Sequence, residues 1–390
     1  MRAFLKVCID EYRSVFTDAG GMLLFFGAII VYPFFYPLPY LHEVLEKVPV
    51  AVVDLDHTSL SRTLVRMLDA GEYVSVASRP ASLSEAEQEL LSRKVSGIVV
   101  ISNDFERRVL RGKRASVSLY TDGSYFLAYR QVMTGATQTI RTLSAGIEIR
   151  RLEARGCSLS QAEAAYAPLR ALSYPLFNPA GGYATYVVMV VFIVLLQQTL
   201  LMGIGMLAGT RRERHPGSPP LTPLPLSGTI RCILGKGTAY LSIYLVHAVY
   251  LFFLMPRIYA LPARGNPIHL FVFLLPFFLA TIFLGIAVSH LFRSRETAIL
   301  AWAFVSIPAV FLSGFSWPLE AIPSWLRGIS LLLPSTAGIQ GFVKIEQMGA
   351  TLAQAGSEWG VLWILSLLYF LLACLCVRRE GANLSPAENV

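Results

Sequence analysis

Three groups of residues in this chain have types and spacings that could do chemistry. Gly235-Lys236 looks like the end of a phosphate-cradling loop. Asp54, Asp56 and His57 place two carboxylates and an imidazole within four residues, the material of a metal site or an acid–base pair. His247 and His290 are titratable groups in otherwise apolar stretches. The first group fails. A phosphate loop needs G-x-x-x-x-G-K-[ST], and here Ile230 stands where the first glycine belongs and Gly237 where the magnesium-binding hydroxyl belongs. The second group has a plainer reading that we favour, a strand-to-helix turn in which Asp, Ser and Thr side chains satisfy free backbone N–H groups. A proton relay would need a carboxylate within a span, and the interiors of the apolar stretches carry none, Glu296 standing only at a span start. That argues against an ion-coupled transporter. An intramembrane hydrolase is disfavoured too, since no Ser/His/Asp set or His-Glu motif occurs. No catalytic residue and no metal ligand is expected.

The elements that hold these residues are mostly membrane spans. The chain has 390 residues, 54% of them hydrophobic and 15% charged. An ordinary soluble domain is about 45–50% apolar and about 25% charged. A span needs roughly 20 apolar residues. Six stretches qualify, at 20–40, 183–208, 233–256, 268–291, 297–316 and 358–377. The fold class is therefore a polytopic α-helical membrane protein with six transmembrane helices and an inserted extracytoplasmic α/β domain. The net charge of +8 fits orientation in the bilayer better than nucleic-acid binding. Arg2, Lys6, Arg13, Arg211, Arg212, Arg214, Arg231, Lys236, Arg293, Arg295, Arg378 and Arg379 all fall on one side when the N-terminus is cytoplasmic. Both termini are then inside, with 378–390 as a tail and 41–180 outside. The first span is read as an anchor rather than a cleaved signal, because it is long and no small-x-small site follows. Of the five cysteines only Cys157 lies in the outside domain, so no disulfide forms within it.

Between the spans the patterns differ. Residues 1–19 read as an amphipathic helix in the cytoplasmic interface, with Phe4, Cys8, Tyr12 and Val15 on one face and Arg2, Lys6, Asp10 and Arg13 on the other. Residues 49–122 alternate strand and helix patterns, which predicts crossover connections and a largely parallel sheet. Residues 125–172 read as one or two long helices. The last outside segment, 317–357, carries Trp317, Pro318, Glu320, Pro323 and Trp325 at its start. It is too broken by proline to span and too apolar for a free loop, so it is read as a re-entrant segment that could gate the outer face. Pro276 and Pro308 sit inside spans four and five, where each removes a helix hydrogen bond and permits a hinge or a static kink.

Four runs, taken in order, carry a resemblance. FTDAGGMLLFFGAIIVYPFFYPL covers the first span, and VAVVDLDHTSLSRTLVRMLDA, ending at Ala70, opens the outside domain. GTRRERHPG followed by LPLSGTIRCILGKGTAYL forms the link between spans two and three, and LSGFSWPLEAIPSWLRGISLLLPSTAGIQGF follows span five. Together they resemble the ABC type-2 exporter permeases with a large extracytoplasmic domain. The resemblance covers nearly the whole chain. It departs at HPGSPPL, where Pro219 and Pro220 would break the short acidic helix usual in that link.

The resemblance implies that ATP and magnesium are bound by a separate ABC ATPase subunit and that no cofactor binds this chain. It implies a cytoplasmic coupling loop at 209–232, with Arg211, Arg212, Glu213, Arg214, Gly235 and Lys236 as the ATPase-coupling residues. It also implies a second permease copy or paralogue, a cytoplasmic-membrane location, and a periplasmic membrane-fusion adaptor and outer-membrane channel as further partners. The competing reading is an accessory membrane protein of a secretion or cell-surface system, of the phage-infection-protein type, which shares the topology without an ATPase.

Overall fold

The computed structural model describes residues 2–41, 43–169, 171–179, 181–214 and 225–382. The chain divides into two compact units. One is Met1–Glu43 with Pro175–Val390, and the other is Val44–Tyr174.

Helix α1 is Arg2–Thr17. It packs along span three and buries Cys8, Glu11 and Val15, while Leu5, Ile9 and Phe16 stay exposed beside it. So the helix expected to lie in the interface has two apolar stripes, one against protein and one free for lipid. Span one runs Ala19–Tyr40. Asp18 caps it by accepting a hydrogen bond from Gly21 N at 2.9 Å. A π-turn at Leu23–Gly27 widens the helix and sets Phe25 against Tyr240 and Tyr244. That ring lies over Gly203, where a Cβ would collide with it.

The inserted unit holds strands β1 (Val48–Asp54), β2 (Val74–Ser78), β3 (Gly97–Ile101) and β4 (Val117–Thr121), in the sheet order β2-β1-β3-β4. β1 pairs parallel with both β2 and β3. β4 runs antiparallel to β3, so the sheet is mixed at one edge. Helices α2 (Ser59–Ala70), α3 (Leu83–Leu91), α4 (Phe105–Leu110), α5 (Phe126–Glu153) and α6 (Leu159–Tyr166) complete the unit. One core joins Val50, Val52, Leu64, Leu68 and Val99 to Val132 and Ala136 of α5. A smaller one joins Ala51, Val53 and Ile98 to Ala86 of α3. β1 and β3 are covered on both sides, which is why their sequences are unbroken apolar runs.

Asp54 and Asp56 tie this unit together. Asp54 accepts from the N–H groups of Asp56 and His57 and from Ser61 Oγ. Asp56 accepts from Phe105 N at 2.8 Å, Glu106 N at 2.9 Å and Thr58 Oγ1 at 2.6 Å, so it caps α4 from 49 residues away. His57 supplies a left-handed turn at φ 52°. Both carboxylates are turned on backbone and hydroxyl donors.

The membrane unit continues with spans two (Tyr183–Arg214), three (Leu226–Ile258), four (Pro267–Ser289), five (Arg295–Leu312) and six (Gly356–Arg378). Among the described residues these five and span one are the helices long and apolar enough to cross a membrane. Span two is the most enclosed, and one core joins it to spans three, four and six. Gly338 and Gly341 let Phe277 and Phe273 approach the backbone closely, the small-residue packing that apolar surroundings reward. Spans four and five run on through Pro276 and Pro308 as continuous helices. Between spans five and six lie α7 (Ser324–Ser330), α8 (Pro334–Phe342) and a π-turn at Val343–Gln347.

Two boundaries differ from the sequence reading. The inserted unit is Val44–Tyr174 rather than 41–180. Glu43 belongs with the membrane unit because its carbonyl accepts from Tyr183 N at 2.8 Å and its carboxylate accepts from Thr185 Oγ1 at 2.6 Å. The link at 209–232 is shorter than expected, since helix continues to Arg214 and resumes at Leu226. Residues 215–224, with Pro219 and Pro220, lie outside the described residues.

Candidate functional site

The last turn of span two is Arg211-Arg212-Glu213-Arg214. A helix turns about 100° per residue, so four consecutive side chains fan around its axis. Each reaches a different element. Arg211 Nη2 donates to Glu11 Oε2 on α1 at 2.6 Å. Arg212 Nη1 donates to the carbonyls of Ser289, at 2.7 Å, and Phe292, so it caps the end of span four. Glu213 Oε1 accepts from Arg295 N at 2.8 Å, the first residue of span five. Arg214 lies 3.5 Å from Asp18, the cap of span one. Cations at a helix C-terminus and an anion at a helix N-terminus both oppose the local dipole, so this basic end suits the helices it joins.

Glycines make the approach possible. At Gly209 an added Cβ would stand 2.6 Å from Arg295 N and from the Ser294 carbonyl carbon. Span two and the start of span five therefore touch backbone to backbone. At Gly235 it would stand 2.9 Å from Val7 Cγ1 and 3.2 Å from Phe4 O, so α1 lies directly on span three there. Lys236, next along span three, points to Glu11 at 3.9 Å. The Gly-Lys pair is thus the bed and the counter-ion of α1.

Glu11 is the centre of this knot. Its side chain is 5% exposed. It accepts from Arg211 and from the hydroxyl of Tyr240, and it faces Lys236. Burial pushes its carboxyl up, but Lys236, Arg211 and the two hydrogen bonds outweigh that and hold it below the usual carboxylate range. Breaking a buried pair of this kind by removing one partner costs about 3–5 kcal/mol. Tyr12 adds a hydroxyl contact to Ser242.

The six residues expected to face a partner are therefore bound up within the chain. Arg211, Arg212, Glu213 and Arg214 are helical rather than loop residues, and their charges meet internal partners. Arg211 and Lys236 keep 38% and 27% of their side chains exposed. Sequence reasoning missed Glu11 and Asp18, the acids that organise this end. A signal was available for Glu11: it stands seven residues after Phe4 and four before Val15, on the apolar face of α1.

The residues expected to gate the outer face are not gathered. Trp317, Pro318, Glu320, Pro323 and Trp325 are all exposed. The enclosed part of that segment is α8, buried from Pro334 through Ile339 and again at Gly341 and Phe342, against spans two, four and six. Here Lys344 pairs with Glu358 at 2.8 Å. Glu346 is buried with Gly265 packed on its carboxyl, and burial pushes that carboxyl up to about 7.

Midway along span two, polar groups without acids collect. Gln197 Nε2 donates to Ser335 Oγ at 3.1 Å, and the Tyr244 hydroxyl donates to Thr199 at 3.0 Å. Gln197 Oε1, both amide atoms of Gln198 and His247 Nε2 are buried without a partner. His247 packs against Phe26 and Tyr244 and meets no carboxylate. Among the described residues no cluster of His, Cys, Asp and Glu could hold a metal ion.

Comparison with known proteins gives one consistent result. The family described as ABC-2 family transporter protein matches residues 21–375. The chain is 24% identical to the linearmycin resistance permease protein LnrN of Bacillus subtilis, over 97% of this chain and 100% of that one. It is 23% identical to the inner membrane transport permease YhhJ of Escherichia coli, over 97% and 98%. It is 22% identical to a protein of that organism named "Probable multidrug ABC transporter permease YbhS", over 86% and 85%.

Proposed function

The chain belongs to the ABC-2 family of transporter proteins, and from that premise we propose that it is the permease subunit of an ATP-driven exporter. In this reading a separate ATPase binds ATP and magnesium and docks at the basic end of the bundle. That end is cytoplasmic, both termini lie there, and the inserted α/β unit is periplasmic. The single observation that carries the proposal is the last turn of span two. Four consecutive residues bind α1, span one, span four and span five, so a displacement applied there is passed to most of the bundle.

Two further features support the reading. Span five is largely uncovered, and Leu300, Phe304, Ile307 and Phe311 form a stripe along it, with Phe304 82% exposed. A second permease chain would cover that stripe and complete a pathway of which six spans are half. The unpartnered Oε1 of Gln197, amide of Gln198 and Nε2 of His247 suit an amphipathic cargo that brings its own polar groups. The names of the relatives, a resistance permease and a multidrug permease, fit such cargo. A membrane-fusion adaptor and an outer-membrane channel would take the cargo onward.

The test is purification from native membranes and reconstitution into vesicles. We expect an ATPase to co-purify and export to require ATP. Cys157 should label from the outer side of intact cells, and a cysteine placed at Ser218 only after permeabilisation. Export without any ATPase would refute the proposal in favour of an accessory membrane protein. Labelling at position 218 from outside would reverse the orientation.

A further inference from the structure

Among the described residues, Glu11 is the carboxylate that ties helix α1 to the bundle. Glu11 receives Arg211 from span two and the Tyr240 hydroxyl from span three, with Lys236 of span three at 3.9 Å. Around it the contact is close. A Cβ added at Gly235 would stand 3.0 Å from the Cβ of Val7, Tyr12 meets Ser242, and Val15 is fully buried. Four residues past Val7 and four before Val15, Glu11 lies at the centre of this seam.

We propose that Glu11 is the positioning residue that makes α1 and the adjoining ends of spans two and three one rigid body during transport. The inference rests on the reading of this end as the one the ATPase drives. Glu11 touches neither cargo nor nucleotide. It acts through Arg211 and Lys236 by fixing where the ends of two spans stand relative to α1. The chemistry makes the arrangement all-or-none. One carboxylate is shared by two flanking cations, so α1 cannot leave without removing the counter-charge of both Arg211 and Lys236. An isolated apolar contact could slip by degrees, whereas a shared carboxylate either holds both spans or neither.

The same seam supplies the test. Val7 and Gly235 come within reach of a disulfide once the seam opens by about 0.5 Å, since the Cβ atoms of a disulfide normally stand about 3.5–4.5 Å apart and those here would stand 3.0 Å apart. The double variant Val7→Cys, Gly235→Cys is made in a chain with Cys8, Cys157, Cys232, Cys374 and Cys376 replaced by serine. It is reconstituted with the ATPase, and ATP-driven export is measured before and after oxidation. A rigid body predicts that export by the cross-linked protein stays within about twofold of the reduced protein. If α1 must swing away in each cycle, oxidation will stop export at least tenfold and reductant will restore it, which overturns the proposal.

A second arm uses Glu11→Gln. Export should fall more than tenfold while the ATPase still co-purifies, and the disulfide placed in the Glu11→Gln chain should restore export at least threefold. Wild-type export by the Glu11→Gln chain would overturn the proposal. Should that variant fail to insert, the disulfide comparison with Glu11 intact decides alone. Failure of the underlying ATPase reading is distinguishable, because the unmodified chain would then export without ATP.

Discussion

Replacing Gly209 with alanine should loosen the joint between spans two and five. The new Cβ would stand 2.6 Å from Arg295 N and the Ser294 carbonyl carbon and 2.7 Å from Ser294 O. Comfortable contact begins near 3.5 Å, so the backbones must part by about 0.9 Å. Glu213 Oε1 now sits 2.8 Å from Arg295 N. Moved by the same amount, it would exceed the usual hydrogen-bond limit of about 3.2 Å. Overpacking costs about 1–3 kcal/mol. A lost hydrogen bond to a charged group costs about 1.5–3 kcal/mol, while alanine returns about 1 kcal/mol of helix propensity. The net is a destabilisation of about 1.5–5 kcal/mol. The assay is the apparent melting temperature of the detergent-solubilised protein, followed by ATP-driven export in vesicles. Gly360→Ala in span six, where a Cβ meets nothing within 4 Å, is the control and should melt no lower than wild type. A Gly209→Ala protein that melts at or above the wild-type temperature would show that the backbones are not in contact, and the argument for a shared joint would fail.

Other expectations follow from single residues. In the inserted unit, Gly146→Ala on α5 points a methyl into open space and should stabilise the isolated 44–174 fragment by about 0.5–1 kcal/mol in urea melts. Asp56→Ala should cost that fragment about 1–2 kcal/mol, and chelators should change nothing, since the carboxylate caps α4. Burial pushes the Asp56 carboxyl up. Hydrogen bonds from Thr58 and from the backbone of Glu106 and Phe105 outweigh this and hold it below its ordinary value. Its stabilisation is therefore present above the ordinary carboxylate range and lost as pH falls through the folded value, so wild type and Asp56→Ala should converge in acid. Glu346 has the opposite sign. Its carboxyl is pushed up to about 7 by burial, so its contribution is complete below the unfolded value near 4.3 and lost as pH rises through about 7. Glu346→Gln should flatten the melting temperature across that window, and an unchanged slope would mean that the carboxyl is solvated.

The six spans were legible because an uninterrupted run of about 20 apolar residues has one stable destination. The alternating strands of the inserted unit were legible for a similar reason, and so was the plain reading of Asp54, Asp56 and His57 as a turn. The direction of β4 was not, because side-chain alternation is the same in parallel and antiparallel strands. The end of span two was misjudged for a definite reason. Composition treats Arg211 to Arg214 as loop, whereas a helix longer than the bilayer is thick simply carries its charges beyond it. Gly235-Lys236 was noticed as a failed nucleotide motif, yet its role depends on Val7 and Glu11, more than 220 residues earlier. No local pattern reports a partner at that distance. Gln197 and Gln198 give no such signal, because a neutral amide within an apolar run adds no charge to the pattern.

The separation of Glu11 and Arg211, 200 residues, has a consequence for the birth of the protein. A ribosome adds about 5–20 residues per second, so the acid waits roughly 10–40 seconds after it is made before its first cation is synthesised, and longer for Lys236. For most of that interval span one is already made and α1 lacks the spans it lies on. The exposed stripe of Leu5, Ile9 and Phe16 suits a lipid surface, which can hold the nascent N-terminus while Glu11 stays in water. Closure of the knot is thus a late event in synthesis, possible only after the third span has begun to emerge. A chain cut short before Lys236 would present an unshielded acid and an uncovered seam, features by which a quality-control protease could tell unfinished molecules from finished ones.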